Sequence, residues 1–291
     1  MTTIDNNQLN NAINQSGFPF ELEIAKTFSD LGFEINLSHL LFDKNRNKDV
    51  EIDLMARKRE VFDTKSGNKL LLITNIIIEC KDNSLPYVCF GMEHKSKDNP
   101  GYLDNDLAYC HILTSRDDGM RNRFSLVAFS GEGIKAKKHH HQFNRSKRFY
   151  SIATLERKGK ENSSYYKVNI PDNFKFSLYK LGLAISDNYN SLSGLLSSKR
   201  RYLEEIEEMP VIITFFSALI HSGKHYQFSI EDKQALENSH TSVFLNGTYG
   251  DSSLDYIVDL INKDEIPDAV SKILNSSEYL LKAISPYFAN A

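Results

Sequence analysis

The stretch Asn75-Ile76-Ile77-Ile78-Glu79-Cys80-Lys81-Asp82 joins an apolar run to an abrupt polar end made of a carboxylate, one spacer and an amine. Side chains two apart on a strand share a face, so Glu79 and Lys81 sit side by side while Cys80 points the other way. Asp53 belongs to a second stretch of this kind, Val50-Glu51-Ile52-Asp53-Leu54-Met55-Ala56. A hairpin closing about Ser66 sets Asp53 directly across from Glu79, which brings Asp53, Glu79 and Lys81 within the roughly 5–8 Å of cross-strand neighbours. Two carboxylates at a sheet's end offer oxygen ligands to a hard divalent cation. An amine beside them can hold a nucleophile or neutralise charge that develops in a reaction.

Three elements must position these groups. Phe18-Pro19-Phe20-Glu21 opens a helix, with proline near its first position and an acidic first turn, and Gly32 closes it. Phe20, Ile24, Phe28 and Leu31 form one buried stripe. At about 100° per residue, Glu21 lies ~60° from the centre of that stripe and Glu23 about 100° away on the other side, so Glu21 is the carboxylate expected to look inward. In the first strand Val50, Ile52, Leu54 and Ala56 share one face, Glu51, Asp53 and Met55 the other, and the charged continuation to Val61 is expected to project from the core. After a turn-rich segment at 63–68, residues 69–81 are apolar on both faces, as in a central strand.

At 291 residues, 41% hydrophobic and 25% charged, the chain can bury one large core or two modest ones. A net charge of −3 gives no global positive field, so nucleic-acid binding would need a local patch. Cys80, Cys89 and Cys110 are odd in number and lack a C-x-x-C spacing, which argues against a disulfide framework or zinc knuckle and for a reducing, cytoplasmic setting. The N-terminus has no apolar leader, and no run is long enough to span a membrane.

Residues 1–16 read as a flexible lead-in, 17–158 as the core, and 159–291 as a C-terminal α/β extension or lobe. Within the core, residues 82–123 are polar and irregular, with a short helix over 104–113, a strand at 124–129, and a helix built on Phe143, Phe149, Tyr150, Ile152 and Leu155. Between them stands a basic run: Lys135, Lys137, Lys138, Arg145, Lys147 and Arg148, with His139, His140 and His141 and no acid between Glu132 and Glu156. Such a run is a solvated face or a phosphate track. The adjacent histidines point about 100° apart on a helix and make no metal site. Later come a strand at 165–170, helices at 176–184 and 193–208, strands at 209–216, 241–246 and 253–261, and a helix at 264–284.

Helix Glu21, strand Asp53 and the Glu79-x-Lys81 pair, in this order, resemble the PD-(D/E)XK nuclease superfamily over roughly residues 17–90. Ile52 stands where that family has its eponymous proline. The resemblance implies a restriction-endonuclease-like core, with a central mixed β-sheet flanked by helices. It also implies a cytoplasmic, Mg²⁺- or Mn²⁺-dependent endonuclease that hydrolyses DNA, with restriction or anti-phage defence as its setting. Asp53, Glu79, Lys81 and Glu21 would be catalytic; Asp53, Glu79, the Cys80 backbone carbonyl and Glu21 would hold the metal. A homodimer or a protein partner is compatible with that role. Beside two carboxylates the Lys81 amine stays protonated, so positioning and electrostatics suit it better than general-base chemistry. Two other functions fit the same residues: a nucleic-acid-binding or regulatory module acting with a partner, and an RNase using the same metal chemistry.

Overall fold

Leu70, Leu72, Ile76, Ile77 and Ile78 are fully enclosed because their strand is paired along both edges and covered on both faces. The computed structural model describes residues 5–63, 67, 69–82, 85–93, 109–113, 147–159, 164–190, 211–249 and 252–284. In chain order the elements are α1 (Asn6–Gln15), α2 (Phe18–Asp30), β1 (Glu34–Asp43), β2 (Lys48–Asp63), β3 (Lys69–Lys81), β4 (Tyr87–Glu93), β5 (Tyr109–Leu113), β6 (Lys147–Lys158), β7 (Tyr165–Asn169), α3 (Asp172–Asn190), β8 (Val211–His221), β9 (His225–Ser229), β10 (Ala235–Asn238), β11 (His240–Tyr249), β12 (Ser252–Asn262) and α4 (Ile266–Ile284). The strands form one mixed sheet in the order β1-β2-β3-β8-β12-β11-β6-β4-β9-β10, with β5 on β8 and β7 on β6. Helices flank it, giving an α/β architecture. Of the strands after residue 210, β8 lies next to β3, β12 and β11 continue the sheet from it, and β9 and β10 close the far end. Among the described residues no helix is long and apolar enough to cross a membrane.

The hairpin register follows the pattern of the sequence. Every β2–β3 pair, from Asp63↔Lys69 to Leu54↔Ile78, is centred on Ser66. Gly32, at φ +84°, closes α2 as expected, and Phe33 N–H reaches back 3.1 Å to the Phe28 carbonyl. Phe20, Ile24 and Phe28 are buried against Leu54, Ile76, Ile78 and Cys80, together with Ile266, Val270 and Ile273 of α4. Met55, Ile77 and Leu219 face the opposite layer, where α3 contributes Phe174, Leu181 and Ala184. Each of the enclosed Val, Leu, Ile, Phe and Met side chains contributes roughly 1.5–3 kcal/mol of burial.

Several elements differ from the sequence reading. The lead-in contains α1, none of whose residues is buried. Residues 34–43, to which the sequence pattern assigns no element, form β1, paired antiparallel with β2. That ladder skips Ser38, whose φ is +54°, opposite Asp53. Beyond the break Val50 and Ile52 join the α3 core rather than the α2 face of Leu54 and Ala56. Residues 109–113 are strand, not helix: β12 pairs with only the last part of β8, and β5 takes up the edge at Val211–Phe215 that would otherwise lack partners. Residues 147–158 are also strand rather than helix, because β6 is held between β4 and β11, and the three-residue spacing of Phe149 and Ile152 imitates a helical stripe. The expected strand at 124–129 and helix at 193–208 lie outside the described residues.

Two buried polar clusters fasten these layers. Asp43, fully enclosed, accepts N–H bonds from Asn45 at 2.9 Å and Arg46 at 3.3 Å, and the Tyr179 hydroxyl at 3.0 Å. This ties the β1–β2 turn to α3. On the same side of the sheet, His221 Nε2 lies 2.9 Å from His225 Nδ1, and His225 Nε2 lies 3.1 Å from Thr241 Oγ1. Burial lowers His221 to about 4. Burial, then the neighbouring His221 and His240, lowers His225 to about 3. Both rings are therefore neutral when folded. Above the ordinary histidine value of 6.5 their contribution is complete; below it the unfolded chain takes up protons that the folded chain refuses, and stability falls towards pH 4. Relative to a His225→Gln variant, the protein should lose about 2 kcal/mol more on going from pH 7 to pH 5, read from urea unfolding at the two pH values. Tyr179→Phe should cost about 1.5–3 kcal/mol in the same assay at pH 7, because it removes a hydroxyl from a buried carboxylate.

Candidate functional site

Ligand sites in α/β sheets gather at the carboxyl ends of parallel strands. Here β3, β8 and β12 run parallel, and their ends come together with Lys81 beside His221 and His221 beside Asn262. Glu79, two residues from the end of β3, is fully buried. A carboxylate cannot stay charged there without a cation, and α3 supplies one. Lys180 Nζ lies 2.5 Å from Glu79 Oε1 and 3.4 Å from Asp53 Oδ1, and it donates to the Glu51 carbonyl at 2.8 Å. On the outer side Lys81 Nζ stands 3.8 Å from Glu79 Oε2. The other Asp53 oxygen, Oδ2, accepts the Cys80 N–H at 2.8 Å. Asp53 therefore closes the end of the hairpin ladder while its second oxygen turns into the cluster.

The electrostatics follow from this packing. Burial first, and the Asp53 charge second, push the Glu79 carboxyl up to about 7, against the pull of Lys180 and Lys81. Burial alone would lower the Lys180 amine, but Glu79 and Asp53 outweigh it and hold the amine above the ordinary lysine value. Lys180 is thus a permanent cation among oxygens. Glu21 is raised by its own partial burial, then by Asp53 and Glu51. Its helix covers the opposite face of the sheet, so Glu21 acts on the cluster from that side. Burial also raises the Cys80 thiol, reinforced by Asp53, Glu21 and Glu79, which leaves it inert as a nucleophile.

Of the residues singled out by pattern, Asp53, Glu79 and Lys81 come together, and Glu21 lies within their field. At Cys80 the backbone group bonded within the cluster is the amide N–H. Lys135, Lys137, Lys138 and Arg145, with His139, His140 and His141, lie outside the described residues. Lys147 is paired with Asp232 at 2.5 Å, and the Arg148 guanidinium lies 4.9 Å from the Phe244 ring centroid, lining a cavity with Tyr150 and Tyr256. Both are on β6, four strand spacings from β3 and so roughly 19 Å away across the sheet.

Sequence reasoning missed Lys180 and the Glu51 carbonyl. Lys180 did carry a signal: it is the lone charge between Phe176 and Ser186, a stretch otherwise made of apolar, aromatic and small residues. A charge on such a face needs a buried partner. The Glu51 carbonyl has no side-chain pattern to reveal it. Among the described residues no group of three or more His, Cys, Asp or Glu side chains is placed to hold a metal ion. The oxygens that converge on Lys180 are two carboxylates and one backbone carbonyl, a smaller set than that. Comparison with known proteins gives no match: no family model fits the chain, and no curated protein or solved structure resembles it significantly.

Proposed function

We propose that the chain is a Mg²⁺-dependent nuclease that hydrolyses phosphodiester bonds of DNA, built on a restriction-endonuclease-like core of the PD-(D/E)XK type. The observation that carries this reading is the convergence of Asp53 Oδ1, Glu79 Oε1 and the Glu51 carbonyl on one cation-sized position at the end of β3. Mg²⁺ takes one or two carboxylates and keeps several waters, so two carboxylates and a carbonyl fit it. When bound, the ion would lower the pKa of a coordinated water and polarise the phosphate.

The chain's own groups divide the remaining work. Asp53 is held in one orientation by the Cys80 N–H, so its inward oxygen keeps its place. Glu79, whose carboxyl burial and Asp53 raise to about 7, would hold the ion in its ionised form. Lys81 is the more accessible of the two lysines, its side chain 27% exposed against 11% for Lys180. It is therefore the amine placed to meet a phosphate oxygen and neutralise charge there. Glu21, partly buried on the other side of the sheet, is suited to orienting Lys81 or a water.

One observation favours a second reading, a nucleic-acid-binding or regulatory module: Lys180 already places a positive charge against both carboxylates. Cleavage of duplex DNA separates the two. In Mg²⁺ the protein should cut, EDTA should abolish cutting, and Asp53→Ala and Lys81→Ala should each lower the rate by ~10²-fold or more. Undiminished cutting by either variant would remove the assignment. DNA binding retained with no heat of Mg²⁺ or Mn²⁺ binding in calorimetry would favour the module, and faster cleavage of a matched RNA would change the substrate.

A further inference from the structure

Lys180 stands where the proposed ion would have to bind. Its Nζ contacts are the same three oxygens: Glu79 Oε1 at 2.5 Å, the Glu51 carbonyl at 2.8 Å and Asp53 Oδ1 at 3.4 Å. A magnesium ion holds its oxygens at about 2.0–2.1 Å. The ammonium cannot remain in hydrogen-bond contact with oxygens that have closed on a divalent ion at the same point, because two cations would then share one position.

The placement is built into the fold. The Lys180 side chain is only 11% exposed, and a lysine so enclosed is found almost only where it is paired. Its neighbour Tyr179 is bonded to the buried Asp43 at 3.0 Å, which fixes the helix from which Lys180 reaches. One turn earlier the Phe176 ring centroid lies 6.0 Å from Nζ, but that ring already carries the Arg46 guanidinium at 4.4 Å. A withdrawn ammonium therefore meets a ring already carrying a cation, and the carboxylates hold it in.

We propose that Lys180 is a resident countercation that keeps the metal position filled and must withdraw before a divalent ion can enter, so that α3 sets the metal affinity of the site. This inference rests on the metal-dependent reading above. In it Lys180 is a gating residue rather than a catalytic one. Its long stem lets the head leave while the aliphatic part stays packed.

The test uses Mn²⁺ and the full-length protein. Lys180→Met keeps the stem and removes the charge, and should bind Mn²⁺ at least ~10-fold more tightly than the unmodified protein in calorimetry at pH 7.5. In the unmodified protein, acylation of Lys180 by an amine-reactive ester, read by peptide mass spectrometry, should rise several-fold at saturating Mn²⁺. That second measurement stands even if Lys180→Met fails to fold. Equal or weaker Mn²⁺ binding by a folded Lys180→Met protein, or Lys180 labelling unchanged at saturation, overturns the gating role and leaves the nuclease reading intact. No Mn²⁺ binding by either protein overturns both.

Discussion

A carboxylate sealed into the end of a sheet is the constraint from which the rest of this molecule follows. Glu79 has no exposed surface, and an ionised group in that position is tolerable only with a cation in contact. The chain meets that need with a lysine from a helix far along the sequence and a second lysine two residues away. Asp53 makes the requirement more severe by adding a second negative charge, and it spends one oxygen on a backbone N–H to hold its position. Removing any one of these groups leaves the others mismatched, so the cluster behaves as a unit.

The sheet provides the rigidity this cluster needs. β3 is paired on both edges and covered on both faces, so Glu79 and Lys81 leave it from a fixed backbone. The opposite flank of the site is deliberately irregular: the β1–β2 ladder is interrupted at Ser38, opposite Asp53, by a residue in the left-handed region. Irregularities of this kind re-aim side chains beside sites, at a cost in local strain. A rigid strand on one side and a broken ladder on the other together let Asp53 point inward at the level of Glu79.

How far the sequence could be read depended on the range of each interaction. The hairpin about Ser66, the stripe on α2 and the pairing of Glu79 with Lys81 are local, and turn residues, helical spacing and strand alternation placed them. β6 was misread because Phe149 and Ile152 satisfy a helical spacing as well as a strand buried between two neighbours, and only the distant partners β4 and β11 decide between the two. β5 reads in the sequence as the end of a helix because its strand character comes from an edge that β12 leaves open. Lys180 was legible as a helix residue but not as part of the site, since nothing near it in the chain names Asp53 or Glu79 as its partners. The Glu51 carbonyl was beyond reach, because every residue has one.

The separation between Lys180 and its partners has a consequence for how the molecule comes into being. The contact with Asp53 joins residues 127 apart in the chain, and the strand that completes the bed for Glu79, β8, follows later still. An emerging chain holds the hairpin with its two carboxylates before it holds their counter-charge, so the polar end of β3 stays in water until α3 has been made. Burial of that end and arrival of the lysine are then one event, which waits for α3 and for the β8 that follows it.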